Sequence, residues 1–382
     1  MKMPVEANAT AAVQVRAGSQ LVTLQPVYNQ LKSLMLLNER NVSGLGEWVH
    51  RTRESMSLEQ LHKNRLVMCG VYYAFSTLGD ETSFGAYLDH LQVLPPQSFQ
   101  DRLLGTYLRI TPEGCSMEDI EPPPAAQRQK ILASEDSYLA FLGEHFNDLD
   151  FDLEGQAYRY VVDPPAMKTL IIEHLRQMWD THLAEEWTRV RPMLSKAVEA
   201  FQAAVAGMER REAVRFVLGR DLPNPWWERS VQDAQRVIMA PNAHVGPYLG
   251  KFISGRDLVI LFGARLPQGA ADEVPDVSRT EILTRLDALA DDHRLHILRM
   301  AAENGEVRAA DIMTALDISQ SAASRGLTQL TATGYLVERR KDGGKAYTLD
   351  AERIEDTLAS LRRFLVSERE PARSPGKQPG RS

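Results

Sequence analysis

Two cysteines, Cys69 and Cys115, stand in a chain of 382 residues. They are too few and too far apart for a disulfide framework or a zinc cage, and two reduced thiols suit a cytoplasmic setting. No apolar run approaches the ~20 residues needed to span a bilayer. The N-terminal MKMPVEANATAAVQVRAGSQ has no apolar segment of signal-peptide type. A cytoplasmic protein without a membrane partner is therefore expected. The phosphate-cradling Gly-x-x-x-x-Gly-Lys-Ser/Thr run is missing, and so is a Gly-x-Ser-x-Gly elbow. GLGEWV at 44–49 lacks the third glycine of a dinucleotide loop and follows a helical pattern rather than a strand. Nothing assembles a nucleophile, a base and an oxyanion donor, so neither an enzyme nor a cofactor is expected. Positive charge is not in excess: the formal net charge is −7. Any contact with nucleic acid must then come from a local patch.

What is present is an ordinary soluble composition, 43% hydrophobic and 25% charged, in a chain long enough for two or three domains. Residues 1–20 read as a disordered tail. Residues 21–266 read as a mainly helical N-terminal domain, a sensor or scaffold, with apolar residues such as Leu31, Leu34, Met35 and Leu37 at helical spacing. The strongest helix runs from Pro165 to about Val205, and Pro192 is expected to kink or split it. The runs RVIMAP, GPYLGKFIS and DLVILFGARLP are β-type and predict a small antiparallel element. PQGAADEVPDVS at 267–278 is a linker, residues 279–366 form a compact domain, and 367–382 are a disordered tail. The fold class is mainly α.

The compact domain decodes in detail. SRTEILTRLDALA, DDHRLHILRMAAENG and RAADIMTALD are three successive helices, the second capped by Asp291 and ended by Gly305. After a tight turn at Asp317-Ile318, Ser319 caps a fourth helix that Gly334 terminates. YLVERR and KAYTL then form a hairpin around KDGG, and AERIEDTLASLRRFLV closes the domain. This order is a winged helix-turn-helix. On the fourth helix Ala323, Leu327 and Leu330 make a packing stripe. Ser319 and the opposite-face residues Gln320, Ser321, Ser324, Arg325 and Thr328 are short, polar and free of acid, as base and phosphate contacts require. Arg339, Arg340, Lys341 and Lys345 add a basic wing. Double-stranded DNA is the expected partner. The alternative is a winged-helix interaction module that binds protein and reads no DNA sequence.

The stretch LDALADDHRLHILRMAAENGEVRAADIMTALDISQSAASRGLTQLTATGYLVERRKDGGKAYTL resembles the arsenic-repressor (ArsR) type of bacterial transcription regulator. Leu286, Ala288, Leu289, Ala290, Arg294, Leu295, Ile297 and Leu298 match the first part of that family's pattern. Ser319, Gln320, Ser321, Ser324, Leu327, Leu330, Gly334, Val337, Arg339, Arg340, Tyr347 and Leu349 match the second. The resemblance implies a homodimer on a roughly palindromic operator, often a repressor. It covers under a quarter of the chain. Arg308 and Ala310 stand where the family's metal sensors carry a thiolate pair, and no histidine follows His296, so no metal site is expected. Gly326 replaces a histidine common in the recognition helix.

The last helix carries Ile354, Leu358, Leu361 and Leu365 on one stripe. Two surfaces can cover it: the chain's own N-terminal domain, or a second chain meeting it together with Ile282, Leu286 and Leu289. The second is the expected dimer interface. Elsewhere, His182 with Glu185 and Glu186, and His174 two turns earlier, have ligand spacing but read as a solvated helix face. Trp226-Trp227 read as burial at a junction, and Cys69 as a core residue. A small-molecule effector of the N-terminal domain is left open.

Overall fold

The computed structural model describes residues 20–39, 44–76, 81–111, 114–115, 120–146, 149–219, 222, 225–264, 276–341 and 344–366. Both expected tails lie outside these residues apart from Gln20, and so does most of the expected linker. The chain divides into two compact units, Met1–Ala270 and Ala271–Ser382.

The first unit opens with β1 (Gln20–Val22), followed by α1 (Pro26–Leu36), α2 (Glu47–Ser55) and α3 (Leu58–Arg65). A π-type turn over Leu66–Gly70 leads on to α4 (Phe84–Val93) and α5 (Pro96–Arg109). A two-residue ladder pairs β2 (Ile110–Thr111) with β3 (Gly114–Cys115). Then come α6 (Ala125–Ile131), α7 (Glu135–His145), α8 (Phe151–Val161) and α9 (Pro164–Met178). A second π-type turn, Trp179–Leu183, joins α9 to α10 (Ala184–Ala204). After α11 (Arg210–Leu218) and α12 (Pro225–Asp233), the unit ends with β4 (Arg236–Asn242), β5 (Gly250–Ser254) and β6 (Asp257–Gly263).

The β element is not the antiparallel sheet that the sequence suggested. Its order is β1-β4-β6-β5, with β1–β4 and β4–β6 parallel and β5–β6 antiparallel. The reason lies in burial. Val237, Met239, Leu258, Ile260 and Phe262 face one core, with Phe201, Val214 and Trp227. Ile238, Ala240, Val259 and Leu261 face the other, with the helices from α1 to α9. Strands buried on both faces read as unbroken apolar runs and belong to the parallel class.

The long helix also breaks elsewhere than expected. Pro192 lies inside α10, and the interruption falls at Trp179–Leu183. A π-type turn inserts an extra residue and frees a carbonyl. Within that turn His182 O accepts from Trp48 Nε1 at 3.2 Å. The first π-type turn has a similar effect on Cys69, which is exposed while Leu66, Val67, Met68 and Gly70 are buried. The expectation of a core cysteine is therefore corrected. Trp227 is buried, with Lys251 Nζ 5.4 Å from its ring centroid.

The second unit contains α13 (Asp276–Leu289), α14 (Asp292–Asn304), α15 (Ala309–Leu316), α16 (Gln320–Ala332), the hairpin β7 (Leu336–Lys341)–β8 (Gly344–Leu349), and α17 (Ala351–Val366). One core holds Ile297, Leu298, Ile312, Ala323, Leu327, Leu330, Tyr335 and Tyr347.

Candidate nucleic-acid interface

α16 starts because Ser319, with extended backbone, accepts the Ala322 amide on its hydroxyl at 3.2 Å. The turn before it needs a left-handed residue, and Asp317 supplies it at φ 51°. The helix ends at Gly334, φ 85°, where an added Cβ would lie 2.9 Å from Arg353 Nε. That guanidinium donates to Thr333 O at 2.9 Å, so α17 caps α16. Tyr335, just beyond, is fully buried, and its hydroxyl lies 3.2 Å from Arg285 O and 3.0 Å from Thr357 Oγ1. These contacts tie the end of α16 to α13 and α17.

With Ala323, Leu327 and Leu330 buried at 0–2% exposure, the orientation of α16 is fixed. Ser319, Gln320, Ser321, Ser324, Arg325 and Thr328 are all exposed, and α16 contains no acidic residue. Gly326 does not belong to that face. An added Cβ would meet Ile297 Cδ1 at 3.1 Å, so glycine lets α14 and α16 approach closely. The histidine seen at this position in the resembled family would crowd that contact.

On the wing, the register sets Arg339 opposite Ala346, Arg340 opposite Lys345 and Lys341 opposite Gly344. Arg339 and Lys345 are exposed; the side chains of Arg340 and Lys341 lie outside the described set. Glu338 faces Tyr347, and its Oε2 accepts from Lys345 Nζ at 3.2 Å and from Tyr347 OH at 3.4 Å. Burial, then the Glu338 charge and hydrogen bond, push the Tyr347 hydroxyl up to about 12.

The residues expected at a dimer interface separate into two groups. Ile282 is buried, and Leu289 and Ile354 pack on the core of their own unit, because α13 and α17 lie against each other within the chain. Leu286 and Leu361 are half-buried, while Leu358 and Leu365 are exposed. Leu283 and Phe364, not singled out in the sequence, are exposed as well. Among the described residues no group of three or more His, Cys, Asp or Glu side chains is placed to hold a metal, and no helix is long and apolar enough to cross a membrane.

The first unit holds a polar network that sequence reasoning missed. His244 follows the carboxyl end of β4. Its Nε2 lies 2.8 Å from Glu186 Oε1 and its Nδ1 lies 2.8 Å from Ser33 Oγ. Arg189 grips Glu186 through two hydrogen bonds of 2.8 and 2.6 Å. Trp48 stacks on His244 at 4.7 Å between centroids. Burial opposes ionisation of Glu186, but the bonds and charges of His244 and Arg189 outweigh it and hold the carboxyl down at about 2. Burial keeps His244 below the usual imidazole range. Ser33, His244 and Glu186 have the connectivity of a hydroxyl–imidazole–carboxylate relay. Ser33 is only 2% exposed, however, and its hydroxyl also lies 2.8 Å from Asn29 O. Glu186 is thus not on the solvated face expected for it. His174 is buried too: burial and Lys63 push it down to about 3, and its Nε2 lies 3.0 Å from Asn64 Oδ1. The readable signal was the histidine just past an unbroken apolar strand.

No protein-family model matches the chain. Over 75 residues it is 39% identical to the arsenic resistance transcriptional regulator ArsR1 of Pseudomonas putida, a match covering 19% of this chain and 59% of that protein. The chain thus spans less than two thirds of that relative's length. HlyU from Vibrio cholerae shares 29% identity over 25% of this chain and 98% of its own, with a TM-score of 0.19. Reduced HlyU gives 29% identity, coverages of 24% and 94%, and a TM-score of 0.19. Part of this chain is therefore similar in sequence to a transcriptional regulator.

Proposed function

We propose that this protein is a DNA-binding transcription regulator, acting as a repressor, that reads a pseudo-palindromic operator as a homodimer. The observation that carries the reading is the acid-free exposed face of α16, oriented by a buried stripe and accompanied by a basic wing. Short polar side chains and Arg325 suit base edges and phosphates, and the exposed Arg339 suits phosphate. The 75-residue similarity to a transcriptional regulator supports the same reading.

In this proposal Leu283, Leu358, Phe364 and Leu365 contribute to the contact between two copies, since their apolar surface is exposed within one chain. A two-fold pair would present its recognition helices to successive major grooves. The first unit serves as sensor, scaffold or both, in the cytoplasm. The test is selection of genomic fragments by the full chain, followed by a salt titration on the recovered duplex. Specific binding that weakens steeply with salt supports the reading. An absence of duplex affinity at low salt would leave the winged helix as a protein-interaction module.

A further inference from the structure

The wing looks like a cluster of cations, but one of its charges is engaged within the protein. Glu338 and Tyr347 are directly opposed on β7 and β8, so their side chains share one face of the hairpin, and Lys345 lies on that face two residues from Tyr347. The Tyr347 side chain belongs to the core, and its hydroxyl anchors Glu338 Oε2 from within. The Glu338 side chain is 14% exposed and the Lys345 side chain 60%. The acid is therefore the fixed member of the pair and the lysine the mobile one. The same carboxylate oxygen holds Lys345 Nζ at 3.2 Å.

We propose that Glu338 withholds Lys345 from DNA phosphate, so that the wing grips any duplex with one cation fewer than its composition offers. This rests on the DNA-binding reading above. A phosphate that approaches Lys345 meets an ammonium already paired with a carboxylate that cannot swing away. Neutralising that carboxylate while keeping its shape releases the lysine. One additional phosphate contact steepens the dependence of log affinity on log salt by about 0.9, and strengthens binding about fivefold at ~0.15 M salt. The gain is independent of base sequence, because phosphate contacts carry no sequence information directly.

The experiment is a salt titration of a mixed-sequence DNA duplex with four full-length proteins: wild type, Glu338→Gln, Lys345→Ala and the double variant. Circular dichroism and a melting curve verify the fold of each. The expected result is a slope steeper by about one in Glu338→Gln. Lys345→Ala alone should keep the wild-type slope, and so should the double variant. Three outcomes overturn the proposal: Lys345→Ala flattens the wild-type slope by about one, Glu338→Gln changes nothing, or its gain survives removal of Lys345. The first needs only an exposed side chain to be changed, so it is decisive even if Glu338→Gln folds poorly. Failure of all four proteins to bind duplex removes the DNA reading itself and this inference with it, whereas binding with equal slopes removes this inference alone.

Discussion

His244 Nε2 and Glu186 Oε1 meet at 2.8 Å with side chains only 6% and 7% exposed, which bonds the loop after β4 to the first turn of α10. Both groups titrate below their ordinary values of 6.5 and 4.5. The folded state therefore binds fewer protons than the unfolded one. Stability from this pair is complete above pH 6.5. It falls first as His244 is driven to protonate, then between 4.5 and about 2 as Glu186 does. Glu186→Gln should cost about 1.5–3 kcal/mol at neutral pH, the range for a hydrogen bond made by a charged group. It should also remove the lower part of the acid transition. Melting curves of the full chain from neutral to acid pH measure both; identical acid profiles would count against the assignment.

Glu154 gives the opposite sign. Its residue is 9% exposed, its Oε2 is buried without a hydrogen-bond partner, and burial, with the Asp150 charge, pushes the carboxyl up to about 7. Its folded value exceeds its unfolded one. The contribution is thus fully present below pH 4.5 and is lost as pH rises through 7. Glu154→Gln should raise the melting temperature at pH 8 by an amount equivalent to about 2–3 kcal/mol, and leave it nearly unchanged at pH 4.5. A variant that melts lower than wild type at pH 8 would contradict this.

Arg325→Ala is expected to cost about 1–3 kcal/mol of operator affinity if the guanidinium reads a guanine. Arg339→Ala should instead weaken operator and unrelated duplex by similar factors and flatten the salt slope. Competition binding against both duplexes separates the two effects. Equal losses on both duplexes in Arg325→Ala would move that residue from base to phosphate.

The helix pair α13–α17 makes a prediction about which leucines dissociate a dimer and which unfold a unit. Leu358 and Leu365 are 49% and 69% exposed, whereas Ile282 is 7% exposed. Leu358→Ala/Leu365→Ala should lower the sedimentation mass toward one chain and weaken operator binding, with the melting temperature of the dissociated chain little changed. Ile282→Ala should destabilise by about 2–5 kcal/mol, as buried isoleucine truncations do. A double variant still dimeric at low concentration would place the subunit contact elsewhere.

The second unit was legible in the sequence because local signals fix it: Asp291 and Ser319 at helix starts, Gly305 and Gly334 at helix ends, and the stripe of Ala323, Leu327 and Leu330. The DNA-facing candidates followed from that stripe, since helical spacing alone decides which side points away from the core. The first unit was less legible for physical reasons. A three-residue strand such as β1 has no detectable period, and its partner lies far along the chain, Gln20 against Val237. Cys69 lies within the π-type turn at Leu66–Gly70, and the turn at Trp179–Leu183 rotates the helical face of the residues beyond it; neither turn is marked in the local spacing, and this hid the exposure of Cys69 and the burial of Glu186. Which apolar residues of α13 and α17 stay exposed depends on how those two helices pack, and spacing within one helix does not reveal that.

That distant pairing has a consequence for the chain as it is made. Two cores use the sheet as their common wall, and the sheet's middle strands, β4 and β6, come last in the unit. At about 5–20 residues per second, β1 leaves the ribosome on the order of 10–40 s before Val237 does. Over that time the helices from α1 to α12 emerge one after another while the surface each core packs against is missing. A chain cut before Arg236 lacks three of the four strands, so both cores are expected to lose the wall they share, and such a chain should expose apolar surface that the full chain buries.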